Sequence, residues 1–387
     1  MSAVLPLPAG ARQRRSMLLG LRGWAGVTIA FAVVAVVVPI ANLLVPAGSV
    51  FHLSDYAVQL VGKIMCYAIC ALAMDLIWGY TGILSLGHGV FFALGGYAMG
   101  MYLMRQIGSD GQYRMPMPDF MVFLNWKEFP WHWALSDSFV AQMVLVVLAP
   151  GVLAFVFGFF AFRSRIKGVY FSIITQAMTY ATMLLFFRNE TGFGGNNGFT
   201  DFKRILDHPI ATPTMRMLLF VITGCTLVAF FLIARAIVES KFGRVLQAIR
   251  DAESRVMFTG YDPLRYKLAI WTLSAVMCGI AGALYVPQVG IINPSEMTPA
   301  ASIEIAVWAA VGGRATLVGP IVGAFFVNGA KSWFTQAFPE FWLYALGAMF
   351  IAVTLFLPHG IVGLVRGPGG VLARRRRGAA REGGGAS

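Results

Sequence analysis

The chain has 387 residues, 58% of them hydrophobic and only 12% charged, with a mean hydropathy of +0.72. Soluble domains carry about 25% charged residues, so a water-soluble globular fold is excluded and an all-α polytopic membrane protein is expected. The formal net charge is +13, and most of it sits at the ends: Arg12, Arg14, Arg15 and Arg22, then Arg366, Arg374, Arg375, Arg376, Arg377 and Arg381 against Glu382. The positive-inside rule accounts for this pattern better than nucleic-acid binding does, and it places both termini in the cytoplasm.

In chain order, residues 1–23 form a basic cytoplasmic tail, 24–360 a transmembrane domain, and 361–387 a second basic tail expected to be disordered. Apolar runs near 24–45, 57–78, 81–104, 139–162, 167–187, 214–236, 266–288 and 341–359 approach the roughly 20 residues that a spanning helix needs. No cleavage pattern precedes the first run, which is expected to stay as an anchor. A further apolar stretch, 301–335, is interrupted by GGRATLVGP at 312–320. Two cytoplasmic ends require an even number of crossings, so this stretch reads as a hairpin. The total is then about 10 transmembrane or re-entrant helices, with 301–312 either spanning or re-entering.

The loops follow the same sidedness. RSRIK at 163–167 and the segment 237–265 are basic and cytoplasmic. The insertion 105–138 carries Asp110, Asp119, Glu128 and Asp137 with Trp126, Trp131 and Trp133, which fits an exterior segment resting on the lipid headgroup zone. Cys66, Cys70, Cys225 and Cys278 all fall in apolar stretches without metal-ligand spacing and read as small buried residues. The five histidines are scattered, and no H-E-x-x-H or nucleophile–base pattern appears, so neither a metal site nor a membrane enzyme is expected. The chain binds no cofactor of its own: it has no phosphate-binding loop, and any ATP use belongs to a partner.

FGRVLQAIRDAESRVMFTG at 242–260 breaks the apolar pattern. Phe242, Val245, Leu246 and Ile249 recur on one helix face, with Arg244, Gln247, Asp251 and Arg255 roughly opposite. Glu253 lands near the apolar side, against the pattern. Gly260 is a C-terminal stop and Pro263 bars continuation. A lipid-lying helix is usually rich in lysine and arginine on its polar face. This face mixes acids and bases and suits a protein partner better.

SKFGRVLQAIRD with Gly260 downstream resembles the cytoplasmic coupling loop of ATP-binding-cassette importer permeases of the branched-chain amino acid and urea group. GYTGILSLGHG at 79–89, FGGNNGFT at 193–200 and VGGRATLVGPIVGA at 311–324 follow in family order. The doubled asparagine of FGGNNGFTDF, the run SIEIAVW and the aromatic insertion are more similar to the urea-transporting branch. The resemblance implies a multi-pass subunit of the bacterial inner membrane, working with a homologous second permease, two ABC ATPase subunits and a periplasmic urea-binding protein. It also implies that Phe242, Gly243, Arg244, Leu246, Ile249, Arg250, Asp251, Glu253 and Gly260 couple the permease to its ATPases. A branched-chain amino acid importer and a passive urea or amide channel are the rival readings; a channel would not need residues 242–260.

Ionisable and polar residues within the apolar runs are the substrate-path candidates. Asp75 lies near the cytoplasmic end of the second run, where it either pairs locally or snorkels. His88 sits between Gly87 and Gly89, in a glycine-rich opening that suits either close packing or a broken helix. Glu304 lies at the exterior end of the hairpin, with Trp308 one turn along. A carboxylate can accept two N–H bonds from urea, and an indole can cover its planar face. An amino acid zwitterion would instead need a cation or a helix N-terminus for its carboxylate, and no lysine or arginine stands near Glu304 in sequence until Arg314, which is expected on the other side. Glu304 is thus either a solute contact or a structural ion-pair partner. Asn196 and Asn197 are either solute contacts, contacts to the binding protein, or turn residues.

Overall fold

The computed structural model describes residues 21–365, apart from 47, 50, 167, 339, 342–343, 345–346, 349–350 and 352–359. The expected span 341–359 lies largely outside the described residues, as do nearly all of both basic tails. The described chain is mostly helical. The first apolar run is α1 (Leu21–Ala32), a π-helical turn (Val33–Val37) and α2 (Val38–Leu43). Then come α3 (Asp55–Thr81), α4 (His88–Arg105), α5 (Asp119–Phe123), α6 (Phe139–Arg163), α7 (Val169–Phe187) and α8 (Pro213–Glu239). They are followed by α9 (Lys241–Phe258), α10 (Pro263–Val289), α11 (Pro299–Gly312), α12 (Val318–Ala337) and the short α13 (Gly360–Val365). Six of these segments are long and apolar enough to cross a membrane: Gly23–Leu43, α3, α6, α7, α8 and α10.

Local chemistry sets the helix ends. The Ser54 hydroxyl caps α3, accepting the Ala57 N–H at 3.3 Å, and Gly82 closes it in the left-handed conformation at φ +75°. Asp262 caps α10 and Thr298 caps α11, each with proline as the next residue, whose missing N–H costs nothing there. The sequence places a continuous span at 81–104, whereas residues 82–87 are not helical and α4 starts only at His88. The physical reason lies on α7. Ser172 donates to the Leu84 carbonyl at 2.8 Å, Thr179 donates to that of Leu86 at 3.1 Å, and the Thr175 hydroxyl accepts the Leu86 N–H at 3.1 Å. Hydroxyls spaced along one helix face thus supply the hydrogen bonds a helix would have made, the condition for irregular backbone inside a membrane bundle.

α10 is the central post, packed on α3, α4 and α6. It meets α4 backbone to backbone: a Cβ at Gly95 would collide with the Gly279 main chain, and one at Gly282 with the Phe92 carbonyl. The α11–α12 hairpin lies against α3 and is itself closed by contact of Gly312 with Gly319 and Gly323. Small residues that let backbones touch are how helices associate without a hydrophobic driving force between them. At the end opposite α9, strand β1 (Phe199–Thr200) pairs with a second strand, Ile291–Ile292, and fastens the α7–α8 loop to the α10–α11 loop.

The insertion is held by charges of its own and by Arg204 of the α7–α8 loop. Arg105 pairs bidentately with Asp137, Arg204 pairs with Asp110, and Asp119 accepts the N–H groups of Gln112 and Tyr113. Trp131 is 88% exposed, but Trp133, expected at the headgroup zone, is fully buried. Its indole N–H donates to the Gly192 carbonyl at 3.1 Å, so it anchors the insertion to the bundle. All four cysteines are free.

Candidate functional site

Two sites can be built from the residues singled out in the sequence, one at each end of the bundle. The first is α9, which lies across the ends of α3, α8 and α10. Gly243, Leu246, Ile249 and Val256 are buried, Phe242 and Val245 are half-buried, and Arg244, Ala248, Asp251, Ser254 and Arg255 face outward. The apolar face is therefore committed to the chain's own helices, and the mixed polar face is the one left for a partner. Phe242 packs on Tyr266 with ring centroids 5.0 Å apart. Arg250 donates to the Gly79 carbonyl at the end of α3, at 2.8 Å, and pairs with Asp251 at 3.0 Å.

Glu253, the residue that broke the helical pattern, is explained by the backbone. Ala252 has non-helical angles (φ −159°, ψ 75°) and kinks α9. The kink turns Glu253 onto Lys267 of α10, 2.6 Å away and 7% exposed. Gly260 follows at φ +85° and ends the segment.

At this same end Asp75 is fully buried. Its carboxylate accepts the backbone N–H groups of Ala315 at 2.6 Å and Leu317 at 3.1 Å, in the turn between α11 and α12. It neither snorkels nor pairs locally: it caps a turn 240 residues away. Both partners have positive φ, +58° and +61°, a conformation that costs a residue with a side chain about 1–3 kcal/mol, so the carboxylate offsets strain in the turn. Arg314 lies, as expected, away from Glu304, with its guanidinium 4.4 Å from the centre of the Trp78 ring.

The second site is a cleft of about 290 Å³ between α3, α10, α11 and α12, reaching down to Cys70. Glu304 and Trp308 line it together, as the sequence suggested. Glu304 is an ion-pair partner here, its cation coming from outside its sequence neighbourhood: Lys331 of α12 holds both carboxylate oxygens of Glu304 at 3.0 Å. Helix pairing brings it there, across 27 residues of chain. Lys63 of α3 also lines the cleft, its ammonium 5.7 Å and 5.9 Å from the ring centres of Tyr67 and Tyr285. It has no carboxylate within 4.0 Å among the described residues. Tyr285 donates to Glu296 at 3.1 Å, in the turn between α10 and α11. Burial pushes the Glu296 carboxyl above the usual carboxylate range, against the pull of the Tyr285 hydroxyl, Lys63 and Lys331. Trp308 packs on Tyr67, centroids 4.8 Å apart, and its buried indole N–H has no acceptor among the described residues. A second hollow, of about 220 Å³, continues past Lys63, Tyr67 and Lys331 toward Tyr56 and Thr335.

The remaining candidates do not join this cleft. His88 is fully buried and donates to or accepts from the Ser274 hydroxyl at 2.7 Å, between the edges of Phe91 and Trp271. It holds α4 to α10. Asn196 and Asn197 are exposed on a 3-10 turn between glycines at the end opposite α9. Lys63, Lys331 and Glu296 were missed in the sequence because neighbours were sought along the chain. A lone lysine inside a spanning run was the available signal.

A family profile described as "Branched-chain amino acid transport system / permease component" matches residues 56–354. The high-affinity branched-chain amino acid transport system permease protein LivM of Salmonella typhimurium is 23% identical over 348 residues, 84% of this chain and 74% of its own length. The corresponding LivH of the same organism is 20% identical over 77% of this chain and 91% of its own. The ribose import permease protein RbsC of Bacillus subtilis is 27% identical over 36% of this chain and 42% of its own. No solved structure matches the chain.

Proposed function

The chain belongs to the permease-component family of branched-chain amino acid transport systems, and from that premise we propose that it is the membrane-spanning subunit of an ATP-driven importer. It is a transport component and not an enzyme. In this reading it resides in the bacterial inner membrane beside a homologous permease, as the two relatives LivM and LivH suggest. Of the two ATPase subunits of the importer, one binds the outward face of α9, and a periplasmic binding protein delivers solute at the opposite end, where Asn196, Asn197 and Trp131 are exposed.

The cargo we propose is urea. The observation that carries this is the charge balance of the cleft: Lys63 and Lys331 stand against Glu296 and Glu304. Two basic and two acidic side chains offer both acceptors for N–H groups and donors for a carbonyl oxygen, the two kinds of partner that neutral urea needs. The similarity of residues 193–202 and 302–308 to the urea-transporting branch points the same way. A branched-chain amino acid is the second reading. It is favoured by Lys63, a cation with no carboxylate within 4.0 Å among the described residues that would meet a zwitterion's carboxylate, and by the relatives' names.

ATP-dependent uptake of labelled urea and labelled leucine by the reconstituted complex separates them. Urea uptake that leucine leaves unchanged, and that survives Lys63→Gln better than Glu304→Gln, supports urea. Leucine uptake abolished by Lys63→Gln moves the cargo to the amino acid. Uptake of neither removes both.

A further inference from the structure

α9 and the solute cleft lie at opposite ends of the chain's bundle, and α9 packs on α3, α8 and α10 rather than along α11 or α12. Something must nevertheless connect α9 to α11, which carries Glu304 and Trp308. Resting on the importer reading above, we propose that Asp75 is the joint through which displacement of α9 reaches the α11–α12 hairpin, and hence the cleft.

The contacts form an unbroken series. Arg250 of α9 grips the Gly79 carbonyl at 2.8 Å, and its side chain lies against Gly82, the closing residue of α3. Gly79 is one turn beyond Asp75, and a Cβ there would meet the Ala315 nitrogen at 2.7 Å. The last turn of α3 and the α11–α12 turn are therefore in main-chain contact. Asp75 then binds that turn through two charge-assisted bonds, to the Ala315 and Leu317 N–H groups.

The turn does not hold its shape alone, since both residues are in the left-handed region. Beyond it, the glycine contact between α11 and α12 makes the hairpin one unit. A tilt imposed at Ala315 is carried along α11 to Trp308 and Glu304. Trp78 under Arg314 is a second, weaker tie between the same two elements. Asp75 touches no solute in this account. It is a positioning residue, and each of its oxygens takes a different N–H: an asparagine keeps the size but sets an NH2 donor against one of the two N–H groups.

The test uses the intact complex with its ATPase subunits, with spin labels at Val318 and Tyr113, both exposed. Their separation is read without nucleotide and after trapping with ATP and vanadate. In the parent complex the distance shifts on trapping. With Asp75→Asn the shift is lost although nucleotide is still trapped, and the ATP consumed per solute imported rises at least tenfold. A shift of parent size in Asp75→Asn, or an unchanged ATP-to-solute ratio, overturns the joint. No shift in the parent complex counts against the importer reading itself, which separates the two failures. If Asp75→Asn does not assemble, Arg250→Gln, at the surface, is read the same way: it must lose the shift, and a retained shift overturns the proposal.

Discussion

At the α9 end, Asp75 is closed off by two backbone N–H groups, Lys267 by Glu253, and Arg250 by the Gly79 carbonyl. At the cleft, Lys63, Glu296 and the Glu304–Lys331 pair all border open space. Both regions hold ionisable groups within helices or against them. The first set is tied to the chain's own backbone and side chains and borders a hollow of about 150 Å³, whereas the second faces the larger cleft of about 290 Å³. The first set of charges holds the fold, and the second lines the space in which the proposed solute would sit. Removing a charge of the first kind strands its buried partner, whereas removing one of the second kind alters what the cavity accepts.

The sharpest way to break this comparison is Glu253→Ala. It leaves Lys267, 9% exposed at its side chain, without its carboxylate, and a stranded buried charge costs about 3–5 kcal/mol. Thermal unfolding in detergent should show a large fall in Tm; an unchanged Tm means Lys267 reaches water and the pair is not structural. Gly95→Ala comes next. Its methyl group has to displace the Gly279 main chain, an overpacking cost of about 1–3 kcal/mol, read in the same unfolding assay.

Glu304→Gln sharpens the contrast from the other side. The pair with Lys331 is 23% and 37% exposed, so its loss should cost under about 1 kcal/mol of stability. Uptake should nevertheless fall about tenfold, equivalent to about 1.4 kcal/mol. Equal damage to stability and transport contradicts the division drawn above.

The smallest effect belongs to Asp137, 70% exposed. The Arg105 guanidinium holds its carboxyl below the usual carboxylate value, about 3.9 when free. The pair's stabilisation, under about 1 kcal/mol, is complete above that free value and fades as pH falls through the lower folded one. The Tm difference between the parent and Asp137→Asn at neutral pH should accordingly shrink below about pH 4, and a difference that persists there removes Arg105 as its cause.

The amphipathic face of 242–260 and the hairpin at 301–335 were legible because each rests on periodicity or on glycine punctuation within a short window. Leu246 and Ile249 bury where a helical wheel puts them, and Gly260 ends the helix. Glu253 looked anomalous only because a wheel assumes a straight helix, and Ala252 is kinked. The break at 82–87 was invisible because the apolar composition runs through it; its cause is three hydroxyls on α7, about 90 residues away. The cleft was half legible. Glu304 and Trp308 share a helix, whereas Lys331, Lys63 and Glu296 join them only through packing. The cation that pairs with Glu304 is invisible along the chain for that reason, and Lys331 supplies it from the next helix.

The depth of the cleft has a consequence for the membrane as an electrical insulator. A bilayer's hydrocarbon core is about 30 Å thick. From Cys70, at the cleft floor, to the end of α3 at Thr81 the helix rises only about 16 Å at 1.5 Å per residue. If water fills the cleft, the membrane voltage falls across roughly half the usual thickness, and the field there is correspondingly steeper. The α11–α12 turn, held by Asp75, lies beside that stretch of α3, and the glycine contact that closes the hairpin adjoins it.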